Sequence, residues 1–405
     1  MTLPPSSAPS RGPVLIAGGG IGGLATALAL ARHGIASTVL ERRHLYGEDG
    51  AGIQIGPNGT RILDSLGVGP FLATRAAVPD GLRIFDAATA RPLATFPLGR
   101  WIAERHGAPY WVAHRRDLHS ALISAAARQP LIEIKMGFEV AAARDGADTA
   151  SAVSSEGDTC QGDVLIAADG VWSRLRDGAF SGAPLSPTGK CAVRAVLPMA
   201  DVPEPLRRND VHLWLGPRVH IVHYPVSAGE KMALVAIFED GEIADGWNTA
   251  CDASWVAARS AGFAPLLRDL LARPGQWRCW SLMELCGRPR FAAGRMALLG
   301  DAAHPILPFF AQGGVMALED AVVVAGCLAA DPRRPARALA RYERLRKSRV
   351  QRVARASRMN GRIYHLDGLA AEARDFAFAR IPPERFMRRF DWLYGWTAPR
   401  AIRVS

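Results

Sequence analysis

Two stretches near opposite ends of the chain carry the residue types needed to grip a phosphate-linked ligand. The first is Gly18-Gly19-Gly20-Ile21-Gly22-Gly23, which contains G-x-G-x-x-G at Gly18, Gly20 and Gly23. In such a loop the first glycine permits a tight turn and the second lets the backbone approach a pyrophosphate. The third lets helix and strand pack closely. The pyrophosphate then faces N–H groups at a helix N-terminus, around Ile21 and Gly22. Glu41, followed by Arg42, ends the next apolar run, where a ribose-binding acid belongs. The second stretch is Gly300-Asp301-Ala302-Ala303-His304-Pro305, after the apolar run Met296–Leu299 and before Gln312-Gly313-Gly314. A carboxylate pinned at a strand end can hold a sugar hydroxyl, and glycines after it admit a ligand to backbone N–H groups.

The elements that must position these groups read as α/β. Val14–Ala17 is a buried strand, Ile21–His33 has helical apolar spacing, and Ser37–Leu40 is a second strand, which makes a βαβ start. A short helix over Arg61–Leu66 closes at Gly67. Strands follow at Leu82–Phe85, Trp111–Ala113, Ile132–Met136 and Val164–Ala167, with a helix at Arg116–Arg128. From about Thr188 to Cys286 strand patterns dominate, at Ala192–Leu197, Val211–Leu215, Val219–Tyr224, Met232–Phe238 and Trp277–Met283. Helical spacing returns at Val315–Ala330 and Ala336–Arg358. The expected architecture is a Rossmann-like FAD-binding domain with an inserted mixed or antiparallel β-sheet substrate domain and C-terminal helices. Its expected segments are a disordered 1–12, FAD-binding parts at 13–80, 106–187 and 287–345, substrate-domain parts at 81–105 and 188–286, and a helical 346–405.

The choice of FAD comes from the distal motif, because G-x-G-x-x-G alone does not separate FAD from NAD. Asp301 would meet the ribityl or pyrophosphate end of an FAD. The N–H groups of Gly313, Gly314 and Val315 would lie near the flavin pyrimidine ring, where positive helix-end potential favours an anionic reduced flavin. A third piece, Ala167-Ala168-Asp169-Gly170 before Trp172-Ser173-Arg174, follows a buried run and reads as a further dinucleotide-contacting loop.

Bulk properties bound the rest. The 405 residues suffice for two joined domains, and the formal net charge of +11 is an arginine excess that favours anionic ligands. No basic-aromatic module points to nucleic acid. Six cysteines, at 160, 191, 251, 279, 286 and 327, form no CxxC pair, so no metal site or disulfide framework is expected, and a reducing cytoplasmic compartment fits. Pro13–Ala31 is apolar, but its glycine run argues against a membrane span, and Ala321–Ala330 is too short for one. No membrane partner is expected.

Taken in order, Gly18–Gly23, Asp169-Gly170 and Gly300-Asp301 resemble the three fingerprints of single-component flavoprotein aromatic hydroxylases. The resemblance covers nearly the whole chain after residue 12. Gly50-Ala51-Gly52-Ile53-Gln54-Ile55-Gly56-Pro57-Asn58, His114-Arg115-Arg116-Asp117, His223-Tyr224-Pro225 and Pro308-Phe309-Phe310-Ala311-Gln312-Gly313 are similar to the branch holding 3-hydroxybenzoate 6-hydroxylase, salicylate hydroxylase and 6-hydroxynicotinate 3-monooxygenase. The resemblance implies that Arg115 contacts FAD, Gln54 and Pro308 lie near the flavin, and Val140 borders the adenosine. It implies NADH as transient reductant, with NADPH the alternative, O2 as co-substrate, and a homodimer as in many relatives.

Period two on the strand Val219–Tyr224 puts His220, Val222 and Tyr224 on one face and turns His223 away. The family pattern places a histidine four residues before the strand's tyrosine in the substrate pocket, and His220 matches it. His220 is expected to take the phenolic proton with Gln312 assisting, and Tyr224 to orient the substrate. The expected reaction is hydroxylation of a phenolic aromatic acid, foremost 3-hydroxybenzoate to 2,5-dihydroxybenzoate (gentisate). Salicylate 1-hydroxylation and 6-hydroxynicotinate 3-hydroxylation are alternatives, and a non-catalytic flavin-binding regulator is the reading from another class. Gly314-Val315-Met316 departs from the family's small or polar segment. No arginine is assigned to the substrate carboxylate, although Arg218 lies beside the right strand.

Overall fold

A computed structural model describes residues 12–45, 51–180, 183–239, 247–287 and 289–402. The expected N-terminal segment, apart from residue 12, and Gly50 lie outside the described residues.

The first apolar runs form the centre of a six-stranded sheet. Its spatial order is Ala292–Ala293, Met296–Leu298, Val164–Ala167, Val14–Ala17, Ser37–Glu41, Ile132–Met136. All pairings are parallel except that between the first two strands. Strands Val14–Ala17 and Val164–Ala167 are buried throughout, as expected of parallel strands covered on both faces. This sheet gathers all three fingerprints at one edge of the layer, because each follows the C-terminal end of a parallel strand. Ligands bind outside such strand ends in open α/β sheets.

A second sheet of eight strands has the order Trp247–Cys251, Trp277–Leu285, Leu185–Pro198, Lys231–Phe238, Val219–Val226, Val211–Gly216, Gly81–Asp86, Pro92–Pro97. Only the pairing of Val211–Gly216 with Gly81–Asp86 is parallel, so the sheet is mixed. A two-stranded ribbon, Gly52–Ile55 with Trp111–His114, and a three-stranded sheet over residues 140–162 complete the strands.

Three of the differences from the sequence reading concern helices. The first helix after the ribbon runs Pro57–Ser65, starting earlier because Pro57 is preorganised for a first helical turn and lacks only an N–H that would be unpaired there. The expected boundary at 345/346 falls inside one continuous helix, Pro335–Tyr364, whose apolar stripe continues past it to Val350 and Val353. The apolar segment around Ala321–Ala330 belongs to an 18-residue helix, Gly313–Ala330, which by length and composition alone could cross a bilayer. In the structure it packs between the helices Ile21–Arg32 and Pro335–Tyr364, and that burial accounts for its composition.

Candidate active site

The N-terminal turn is built as its glycines require. Gly18 has φ +107°, and a Cβ on it would stand 2.5 Å from the Ala168 carbonyl oxygen. A Cβ on Gly23 would stand 1.9 Å from the Gly18 carbonyl oxygen, whereas one on Gly20 would meet nothing within 4 Å. The turn is therefore closed on its protein side and open at Gly20. Glu41 accepts from the Gly19 N–H at 2.7 Å and from the Arg43 N–H at 3.0 Å, so its carboxylate is fixed beside the turn. His119 Nε2 lies 2.7 Å from the Gly19 carbonyl and braces it from below. Arg42 is exposed, and Val140 is half-buried on its strand.

The other two fingerprints are tied together. Ser173 caps the helix Arg174–Ala179, and the buried Arg176 donates to the carbonyls of Val171 at 2.9 Å and Ala302 at 3.4 Å. Asp169 has one carboxylate oxygen buried without a partner, and burial raises its pKa. A buried acceptor without a donor is costly unless a ligand supplies one. Asp320 holds the distal loop: it accepts from the Gly300 N–H at 3.0 Å, from His304 at 2.5 Å and from Arg346 at 2.6 Å. Burial pushes Asp320 upward, but His304 and Arg346 outweigh it and hold the pKa at about 2.

Asp301 and Arg194 share one environment. Asp301 is exposed and Arg194 half-buried, and each feels the charges of the other and of Arg115. Burial raises Asp301 and lowers Arg194 to about 10, so the guanidinium stays cationic at neutral pH. Arg194 Nε is buried without a hydrogen-bond partner, and the guanidinium lies 4.9 Å over the Trp280 ring. The register shows which groups it joins. Arg194 pairs with Val235 and Val235 with Val222, so Arg194 lies on the face of His220, Val222 and Tyr224. Tyr224 bonds Gln54, which also accepts from the Tyr110 hydroxyl at 2.7 Å. Gln312, buried before the helix Gly313–Ala330, accepts from Asn58 at 3.1 Å, and Asn58 also donates to Glu319 at 2.9 Å. Gly314 faces Ile53, and Pro308 begins the single turn Pro308–Phe310.

The sequence reading assigned no role to Arg194, Tyr110 or His365, and named Asn58 only as the end of a motif. His365, at the end of the helix Pro335–Tyr364, places Nε2 2.7 Å from His220 Nδ1. Arg218 is not on the pocket strand. It sits exposed in the preceding turn with φ 59°. Among the described residues no group of His, Cys, Asp and Glu is arranged to hold a metal. A cleft of about 370 Å³ at the Ala330–Arg344 turn is lined by Asp331, Arg334, Arg337 and Arg341 and includes none of the site residues.

An open glycine turn with a fixed acid, an orphaned aspartate and an acid before a helix N-terminus fit the parts of one FAD, and together they define an FAD-binding oxidoreductase. The chain belongs to the family of the FAD binding domain, whose model matches residues 11–357. It is an FAD-dependent aromatic hydroxylase, a monooxygenase that takes electrons from a reduced nicotinamide. It is 38% identical over 395 residues to 3-hydroxybenzoate 6-hydroxylase of Klebsiella oxytoca, covering 96% of this chain and 98% of that one. It is 34% identical to a 3-amino-4-hydroxybenzoate 2-monooxygenase of Streptomyces platensis, covering 96% and 97%. HpxO of Klebsiella pneumoniae, solved with FAD and uric acid, superposes with a TM-score of 0.80 at 27% identity, covering 93% and 95%. A salicylate hydroxylase substrate complex shares the fold, with a TM-score of 0.80 at 23% identity over 98% of each chain.

Proposed function

We propose that this enzyme hydroxylates 3-hydroxybenzoate at carbon 6, para to the phenolic carbon, using NADH and O2. Oxygen at that position makes the 2,5-dihydroxy acid, gentisate. The observation that carries the reading is a sheet face bearing a neutral histidine, a tyrosine and an arginine whose Nε has no hydrogen-bond partner among the described residues: His220, Tyr224 and Arg194. The first accepts a phenolic proton, the second orients the ring, and the third binds a carboxylate. Bound FAD, once reduced, supplies the activated oxygen; the protein positions the acceptor ring and excludes water.

A phenol is weakly nucleophilic and its phenolate strongly so, chiefly ortho and para to oxygen. Burial, and then the neighbouring His365, holds His220 well below the ordinary histidine range, so it is neutral and ready to accept. Gln312 keeps its amide N–H groups for the substrate or flavin, because its Oε1 is engaged by Asn58. Gly18, Gly20, Ile21, Gly22, Gly23, Glu41, Arg42 and Val140 hold the adenosine and pyrophosphate half of FAD. Asp169, Asp301, Gln54, Arg115, Pro308, Gly313, Gly314 and Val315 hold the rest.

The test is substrate-stimulated NADH oxidation across the three mono-hydroxybenzoates and 6-hydroxynicotinate, with products identified by mass spectrometry. Gentisate from 3-hydroxybenzoate is expected, and catechol from salicylate or no stimulated turnover would overturn the assignment. Arg194→Leu should raise KM for the carboxylated substrate about 10- to 100-fold, the loss of a charged hydrogen bond. The same change should leave a phenol lacking the carboxylate little affected.

A further inference from the structure

His220 does not end at its own ring. Its Nδ1 lies 2.7 Å from His365 Nε2, and His365 Nδ1 lies 2.8 Å from Glu239 Oε1. Glu239 in turn accepts from Lys190 Nζ. The first two side chains are buried, while those of Glu239 and Lys190 are 26% and 23% exposed, so the chain runs from the interior to water. The hydrogen bond of the His220 ring among the described residues is made by Nδ1, to His365.

We propose that His365 and Glu239 extend His220 into a proton relay that carries the substrate's phenolic proton to solvent and returns it to the product. The inference rests on the reading of the substrate as a phenol. On substrate binding, the phenol O–H bond breaks and its proton joins His220 Nε2. The proton on His220 Nδ1 passes to His365 Nε2, and that on His365 Nδ1 passes to Glu239 and out to water. After the ring is hydroxylated, its displaced hydrogen leaves as a proton to water, and the original oxygen again carries negative charge. One proton then travels the same path inward, restoring both imidazole tautomers. No proton is gained or lost by the protein over the cycle.

The surroundings suit passage rather than storage. His220 is packed against Phe309, Tyr364 and His365, and among the described residues no carboxylate bonds it to stabilise a trapped imidazolium. His365 is lowered by burial and only partly raised again by Glu239. Burial pulls Glu239 up, but bonds from Lys190 and His365 outweigh it and keep the acid ionised. The groups facing the relay are thus Tyr364, Glu239, Lys190 and the turn of Arg218, whose N–H meets the His365 carbonyl at 3.3 Å.

The experiment is stopped-flow proton release to a pH indicator when 3-hydroxybenzoate is mixed with oxidised holoenzyme, compared with His365→Gln and Glu239→Gln. His365→Gln should slow release about tenfold or more, since a positioned proton acceptor contributes at least that much. Glu239→Gln should slow it less and shift its pH profile, with flavin content and substrate affinity retained in both. 3-Methoxybenzoate, which has no phenolic proton, should release none from the wild type. If His365→Gln does not fold, Glu239→Gln alone decides. Unchanged release rates and pH profiles in the folded variants would overturn the relay and leave His365 a structural tie. Failure of the wild type to bind any phenolic acid would instead overturn the substrate reading.

Discussion

Two histidine pairs lie on opposite faces of the strand Val219–Val226. On one face His220 joins His365 and, through Glu239, reaches solvent. On the other, His223 stands opposite His212 in the register, with ring centroids 4.6 Å apart and no ring nitrogen of either partnered among the described residues. His212 also meets Phe85 edge-on at 5.5 Å. Burial lowers all four, His212 to about 4. Depressed basicity alone therefore does not set His220, the proposed base, apart from His223. What separates the pairs is connection, since one can hand a proton on and the other can only refuse it.

The sharpest way to break that contrast is at the proposed base, His220. His220→Ala should cut hydroxylation by about 10²–10⁴-fold, read as product formed per turnover cycle, with flavin reduction by NADH much less affected. An equal loss in both half-reactions would mean that His220 serves flavin binding instead.

Acid should expose the idle pair next. A histidine whose folded pKa lies below its unfolded value of about 6.5 binds fewer protons folded than unfolded. Its stabilising contribution is present above about pH 6.5 and is lost as pH falls toward the folded value of about 4. For His212 this amounts to about 3 kcal/mol. Asp320, held at about 2, loses its contribution only at lower pH, below its unfolded value of about 4. Urea midpoints from pH 7 to 4 should fall in the wild type and fall less in His212→Phe. Parallel curves would show that other groups carry the acid response.

The smallest effect is expected from His223→Leu. Removing buried ring nitrogens that lack partners should stabilise the fold by about 1–2 kcal/mol, measured by urea unfolding at pH 7, with turnover unchanged. A large loss of activity would place this face in the site after all.

Legibility followed distance along the chain. The G-x-G-x-x-G turn, Glu41 and the strand–Asp301–glycine order are local patterns, because a tight turn and a helix end need particular residues in sequence. The facing of His220 and Tyr224 was legible for the same reason, since a strand's alternation is intrinsic to its pleat. Arg194 was hidden because alternation says which residues share a face but not which strand lies next to which. Arg218 adjoins the pocket strand in sequence, but sequence could not give its facing, and its left-handed turn leaves it exposed. His365 was illegible, because nothing near it in the chain refers to a residue 145 positions earlier.

From residue order alone came the cofactor clamps, the α/β class and one face of the pocket strand, all consequences of short-range backbone geometry. Chain packing decided the partners: the cation on a neighbouring strand, the ring at a distant helix end, and the polar contacts that lead from it to Glu239 and Lys190. Hydrogen bonds act over about 3 Å, and only the folded chain brings such remote groups that close.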